Sequence, residues 1–331
     1  MDNFNKDVAK ELLKQIKIKL RRGVVLVTSV YIGALQISTM KIGWIGQGWI
    51  GKNYANDFEA RGYEVVRYSL EEPYVKNKKD IASCDIVFIA VPTPTTPQGF
   101  DYSLIHGVLP LVGTGKIAVI KSTILPGTTE KLQKLFPKIF VLHSPEFLAE
   151  STAAYDASHP NRNIIGIPAV DAAYREKAED VLRVLPDAPY AKIMAARDAE
   201  FVKYAGNCFL FTKVVFMNML YDVVTGMDAD WKDVREAFIH DPRIGSSHTE
   251  PVHKSGHAAT SGRGAGGHCF IKDFEAFREM YHARVHDGYG DAFLAALKDK
   301  NIELLVNSKK DLNLLKGVYG NTNRYRHSTE T

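Results

Sequence analysis

Met40-Lys41-Ile42-Gly43-Trp44-Ile45-Gly46-Gln47-Gly48-Trp49-Ile50-Gly51 is the stretch on which the fold turns. Its first half is a short apolar run of the kind that forms a buried strand. Its second half spaces three glycines as G-x-G-x-x-G, and a helical stretch follows to about residue 61. A second strand is expected over 63–68. Strand, glycine turn, helix and strand on this schedule make the βαβ unit that holds a dinucleotide. Gly46 permits the tight turn, Gly48 lets a pyrophosphate approach, and Gly51 lets the helix pack closely on the sheet. Trp49 and Ile50 open the helix, whose first N–H groups face the pyrophosphate.

The carboxylate that would grip a ribose 2′-hydroxyl at the end of the second strand is replaced by Ser69, with Glu71 two residues late and Arg67 just before. NAD is the expected cofactor, and NADP stays open. Further strands are expected over 85–91, 116–121, 139–142 and 163–167, then a helix over 172–185. Ligands bind beyond the carboxyl ends of such strands, so the loops carrying Thr93, Thr123, Glu146 and Glu150 are candidate walls. Glu146 and Glu150 would share a face if 146–152 turned helically. The fold class is α/β: a Rossmann-like doubly wound parallel sheet over 40–195, then an all-helical substrate domain over 196–307. Residues 308–331 read as a polar tail.

Residues 1–39 are an extension of unassigned role. Val8, Leu12, Leu13, Ile16 and Leu20 line one face of a basic helical pattern, and the apolar run 24–35 is too short to span a bilayer as a helix. Membrane association is not expected. The chain has 331 residues, enough for about two domains. Its net charge of +4 comes from Lys and Arg scattered among Asp and Glu, so nucleic acid is not an expected partner. Cys84, Cys208 and Cys269 are odd in number and far apart, which fits a reducing, cytoplasmic setting rather than a disulfide framework.

Residues 197–225 read as one long helix, apolar nearly all round and therefore central. Lys203 and Asn207 share a face of it at i, i+4 spacing. A lysine there either snorkels to solvent or is paired for a purpose. A short helix is expected over 231–239, then a loop with Arg243. Its histidines, His248, His253 and His257, match no metal-site spacing and read as solvated. The loop ends in Gly262-Arg263-Gly264-Ala265-Gly266-Gly267-His268-Cys269-Phe270-Ile271-Lys272-Asp273. Four glycines in six residues strip side chains where something approaches the backbone. Phe270, Phe274 and Phe277 have helical spacing, so Cys269 opens a helix. The helix dipole there would lower the thiol from about 8.5 to roughly 5–7, making a nucleophile. Asp273 lies one turn along on the same face.

Together these residues resemble the UDP-glucose/GDP-mannose dehydrogenase family. The motifs are GQGWIG (46–51), AVPTPT (90–95), KSTILPGTT (121–129), SPEFLAES (144–151), FVKYAGNCFL (201–210), DPRIG (241–245) and GAGGHCFIKD (264–273). The resemblance implies that Cys269 is a covalent nucleophile with Lys203 and Asp273 as charged partners. Asn207 and Thr123 would bond the reacting oxygen or water, and Glu150 would assist hydrolysis. Glu146, Arg243 and Gly266 would meet the substrate, a nucleotide sugar, while Ser69, Thr93, Thr123 and Lys272 would join the glycine turn around the cofactor. The implied reaction is a four-electron oxidation of a primary alcohol to a carboxylate, in an enzyme that pairs through its central helices as a homodimer.

Ala265 and Ile271 stand where the family commonly has an aromatic residue and a proline, and the 245–264 loop is longer than usual. The family's third, nucleotide-gripping domain has no counterpart in the pattern after Asn307, so a short form is expected. Two other readings remain. A two-electron β-hydroxyacid-type dehydrogenase would use the Lys-x-x-x-Asn helix but leaves the Cys269 motif unexplained. A degenerate nucleotide-binding module would not need Cys269, Lys203, Asn207 and Asp273 together.

Overall fold

A computed structural model describes residues 40–256 and 260–322. The expected extension over 1–39, His257 and the last part of the tail lie outside the described residues. The chain opens with β1 (Lys41–Ile45), α1 (Trp49–Ala60) and β2 (Glu64–Tyr68), as the glycine turn requires. There follow β3 (Ile86–Ile89), β4 (Ile117–Ile120), α2 (Thr128–Leu135), β5 (Phe140–His143), β6 (Arg162–Ile167), α3 (Ala172–Val184) and β7 (Tyr190–Ala195). One sheet takes them in the order β2-β1-β3-β4-β5-β6-β7. The order reverses between β1 and β3, which opens the ligand crevice of a doubly wound sheet there.

Both faces of this sheet are covered, so its strands are apolar on alternate residues in both directions. Ile42, Trp44, Ile86 and Phe88 pack under Tyr54 and Phe58 of α1. Ile45, Val87, Ile89 and Ile120 fill the opposite face. Trp44 is fully buried and lies between the rings of Tyr54 and Phe88, at 5.4 and 4.6 Å. Truncating such a ring to alanine costs about 3–5 kcal/mol.

The sheet departs from the expected parallel form at its far edge. β5 meets β6 antiparallel, through the single pair His143–Gly166, and β7 runs parallel to β6. The reason is the connection: residues 144–161 include a short helix, Ala153–Ser158, that packs on α1 and return the chain beside β5 in the opposite direction. That reversal keeps Glu146 and Glu150 at the ligand end.

The helical part begins without a break after β7. α4 (Ala196–Gly226) is followed by α5 (Trp231–Ile239) and a small hairpin, β8 (Val252–Lys254) with β9 (Ser261–Arg263). Then come α6 (Gly267–Val285), α7 (Gly288–Asn307) and α8 (Leu312–Tyr319). α6 packs along α4, with Phe274 stacked on Phe211 at 3.9 Å. The last helix corrects the expectation of a fraying tail from 308. Leu315 and Val318 of α8 are buried against Ile271, Ile302, Leu305 and Val306, which gives an eight-residue helix a reason to hold.

Candidate active site

α4 and α6 bring the expected residues together. Lys203 is buried, which overturns the snorkelling alternative. Its Nζ donates to Glu146 Oε1 at 2.6 Å and to the Glu146 carbonyl at 2.9 Å. Burial alone would push this ammonium down, but the Glu146 carboxylate, with Asp273 adding to it, holds its pKa above the ordinary value. Asn207, one turn on, donates from Nδ2 to Asp273 Oδ2 at 2.6 Å, while Lys272 Nζ holds Oδ1 at 2.5 Å. Asp273 itself is fully buried.

Cys269 sits in the first turn of α6, behind the N-cap Gly266, as the spacing predicts. Its thiol is not the depressed one expected. Burial pushes it up to about 11, with Glu146 and Asp273 adding to the rise and Lys203 and Lys272 opposing it. The dipole of one helix end does not outweigh removal from water plus two carboxylates.

A cavity of about 360 Å³ opens over the thiol. Lys203, Asn207, Glu150, Arg162, Gly266 and Cys269 line it, with Ser255 and Gly256 of the hairpin forming the far wall. Residues 144–150 are not helical, so Glu146 and Glu150 do not share a helical face. Glu150 faces the cavity, 3.7 Å from His268 Nδ1. Glu146 lies behind it, 2 % exposed and spent on Lys203 and the Leu148 N–H, so it does not line the cavity as expected. Arg243 is not brought to the cavity either; it is exposed and paired with Asp241 at 2.5 Å. His253 is not a solvated loop residue, because its Nε2 meets the buried Lys310 Nζ at 3.1 Å.

Thr93 and Thr123 are buried together beyond the ends of β3 and β4, where Thr93 Oγ1 donates to the Thr123 carbonyl at 2.7 Å. Thr95 Oγ1 donates to the Lys272 carbonyl at 3.1 Å, tying the crevice to α6. A Cβ on Gly46 would collide with the Ala90 carbonyl and one on Gly51 with the Gly46 carbonyl, whereas one on Gly48 would meet nothing within 4 Å. Among the described residues no side chain caps α1, and its first turn holds no acidic residue. The turn therefore presents open space and uncapped amides behind Trp49 and Ile50, which fits a dinucleotide pyrophosphate. Ser69 Oγ is bonded to Glu71 rather than held by the sheet. Arg67 is turned to Glu59 and Asn56, at 2.7 Å to each, and is not poised for a 2′-phosphate.

Residues 70–185 match the model of the UDP-glucose/GDP-mannose dehydrogenase family, NAD binding domain, and residues 197–301 match that of the same family's central domain. The chain belongs to the UDP-glucose/GDP-mannose dehydrogenase family. The expected cofactor, NAD, agrees with that membership. A UDP-glucose 6-dehydrogenase of Pseudomonas aeruginosa is 33% identical over 242 residues, 67% of this chain and 49% of that protein. A UDP-glucose dehydrogenase structure from Pyrobaculum islandicum superposes with a TM-score of 0.67 at 25% identity, covering 82% of this chain and 71% of that one. A 3-hydroxyisobutyrate dehydrogenase from Mycobacterium tuberculosis, 14% identical, shares the fold with a TM-score of 0.62 over 85% of this chain and 98% of its own. The chain spans about half the length of the curated family relatives it matches.

Several residues that shape the site gave no signal in the sequence. Ser308, Lys310 and Asp311 reach the glycine loop from a stretch that reads as tail. Glu200 accepts from the amides of Gly127 and Thr129 at 2.5 and 2.8 Å and joins α4 to the start of α2. Lys121, buried at the end of β4 with Nζ 3.1 Å from Ser144 Oγ, was findable, since a lysine closing an apolar strand is unusual.

Proposed function

We propose that the protein oxidises the C6 primary alcohol of a nucleotide sugar to a carboxylate, through two two-electron steps that share Cys269. The observation that carries this reading is the convergence of Lys203, Asn207 and Cys269 on one cavity, with Asp273 buried behind it and bonded to Asn207. Bound NAD, held by the 46–51 turn, supplies the hydride acceptor, one molecule per oxidation. Cys269 starts as a thiol. It adds across the aldehyde carbonyl, sulfur bonding to carbon while its proton passes to oxygen, to give a thiohemiacetal. Loss of hydride and of that proton leaves a thioester, and water then releases the carboxylate and restores the thiol. Lys203, kept charged by Glu146, stabilises negative charge on the sugar oxygen. Asn207, fixed by Asp273, donates to the same oxygen, and Glu150 takes a proton from the hydrolytic water.

Supplying UDP-sugars and counting NADH against carboxylate tests the reading. Two NADH per carboxylate are expected, with Cys269→Ser binding NAD but forming almost no carboxylate. One NADH per substrate and a fully active Cys269→Ser would instead favour the β-hydroxyacid-type reaction. A cytoplasmic setting goes with this reading, supported by three cysteines that are all unpaired. So does a homodimer, because α4 leaves Phe209, Phe216, Met219 and Val223 exposed along its outer side.

A further inference from the structure

The glycine loop before Cys269 has almost no side chains of its own to hold it, and its polar backbone is taken up by residues from the end of α7 onward. Asn301, buried, accepts from the Ala265 N–H at 2.7 Å and donates to the Ala265 carbonyl at 3.0 Å. Ser308 Oγ accepts from the Arg263 N–H at 3.0 Å. Lys310, fully buried, donates to the Gly264 carbonyl at 3.0 Å and meets His253 Nε2 at 3.1 Å. Asp311 Oδ2 accepts from the Gly267 N–H at 2.8 Å, at the mouth of the helix that carries the thiol. A Cβ on Gly266 would collide with that same carboxylate. Lys309 and Asp311 both have positive φ, 55° and 53°, a conformation that side chains with a Cβ disfavour. The backbone tolerates it where these side chains are aimed at the loop.

We propose that Asn301, Ser308, Lys310 and Asp311 form a clasp of positioning residues, with Asp311 setting the place and reactivity of Cys269. The inference rests on Cys269 being the nucleophile, but its test needs no sugar. Asp311 holds the first turn of α6 closed. The closed turn keeps the thiol away from water and so protonated. The other groups facing the thiol, Lys203, Lys272, Glu146 and Asp273, stay the same in the variants, as do Glu150, Arg162, His248, His253, Lys254 and His268 at the cavity wall.

The full chain is treated with iodoacetamide across pH, and each cysteine is followed by peptide mapping, with buried Cys84 as the internal standard for global unfolding. Amide exchange of 262–270 is read in parallel. Asp311→Ala should speed Cys269 alkylation at pH 8 about tenfold and lower its midpoint by about one unit, with Cys84 still unreactive. Asp311→Asn keeps an acceptor for Gly267, so its loop exchange should stay within about threefold of the wild type. An unchanged rate and midpoint in folded Asp311→Ala would overturn the proposal, as would Asn loosening the loop as much as Ala. If Asp311→Ala exposes Cys84, Ser308→Ala decides: faster exchange at Arg263 supports the clasp and unchanged exchange refutes it. Failure here leaves the two-NADH stoichiometry untouched, so the two claims fall separately.

Discussion

Lys203 and His143 are both buried, and they treat their protons in opposite ways. Lys203 keeps its charge because Glu146 lies 2.6 Å away in the same dry setting. Lys203→Ala should therefore lower turnover about a hundredfold, the usual loss for an electrostatic stabiliser, with NAD affinity nearly unchanged. Steady-state kinetics with a nucleotide sugar beside NAD titration checks both halves, and normal turnover would remove Lys203 from the reaction. His143 is 1 % exposed and lies near the Lys121 ammonium. Burial pushes it down from 6.5 to about 3, so it is neutral in the fold and titrates normally when unfolded. A depressed histidine favours the fold above its unfolded pKa, and that support is lost as pH falls from about 6.5 towards 3. The slope is about 1.4 kcal/mol per pH unit in that window. Urea unfolding between pH 7 and 5 should show it, and His143→Leu should flatten the curve; an equal slope in both proteins would place the acid sensitivity elsewhere.

At the scale of elements, α4 is the member that joins the two layers. Its Glu200 accepts from the start of α2 through Gly127 N, Thr129 N and Thr129 Oγ1. Glu200→Ala leaves these buried donors bare and should cost about 2–4 kcal/mol, read by chemical denaturation. A loss under 0.5 kcal/mol would mean that water replaces the carboxylate with little penalty. α4 was legible in the sequence because it is long and apolar nearly all round, β1, β3 and β4 because each is apolar and bounded by turns, and β2 because the glycine turn and helix set its place. β7 was not legible: it is an edge strand with exposed Tyr190 and no buried run. α8 was not legible because the polar stretch 308–311 precedes it, and its apolar residues make sense only against Ile271 and Leu305. At the site, spacing found Cys269, Lys203, Asn207 and Asp273. It could not find the thiol's true environment, because the burial that raises it is a tertiary effect and Glu146, the larger of the two carboxylate contributions, comes from a segment distant in sequence.

At the scale of the whole molecule, the crevice and the outer side of α4 each make a claim. With Arg67 occupied by Glu59 and no carboxylate at Ser69, NAD should bind more tightly than NADP by a modest margin. Fluorescence titration reads this directly through the tryptophan in the turn, Trp49, and tighter NADP binding would reverse the assignment. The exposed apolar residues of α4 should be covered by a second copy. Sedimentation should then give a dimer that Phe209→Glu with Phe216→Glu converts to monomer, whereas a wild-type monomer would leave that side for another partner.

The glycines of the 262–266 loop have a consequence for how such a chain can change over generations. The space beside Gly262 is filled by Ser308 and Lys310, that beside Gly264 by Asn301, and that beside Gly266 by Asp311. Loop and clasp thus occupy one volume, written in two places about forty residues apart in the chain. Neither place can drift alone. In descendants of this sequence, a larger residue at 266 should arrive only with smaller ones at 311 and 255, so these segments should be inherited together.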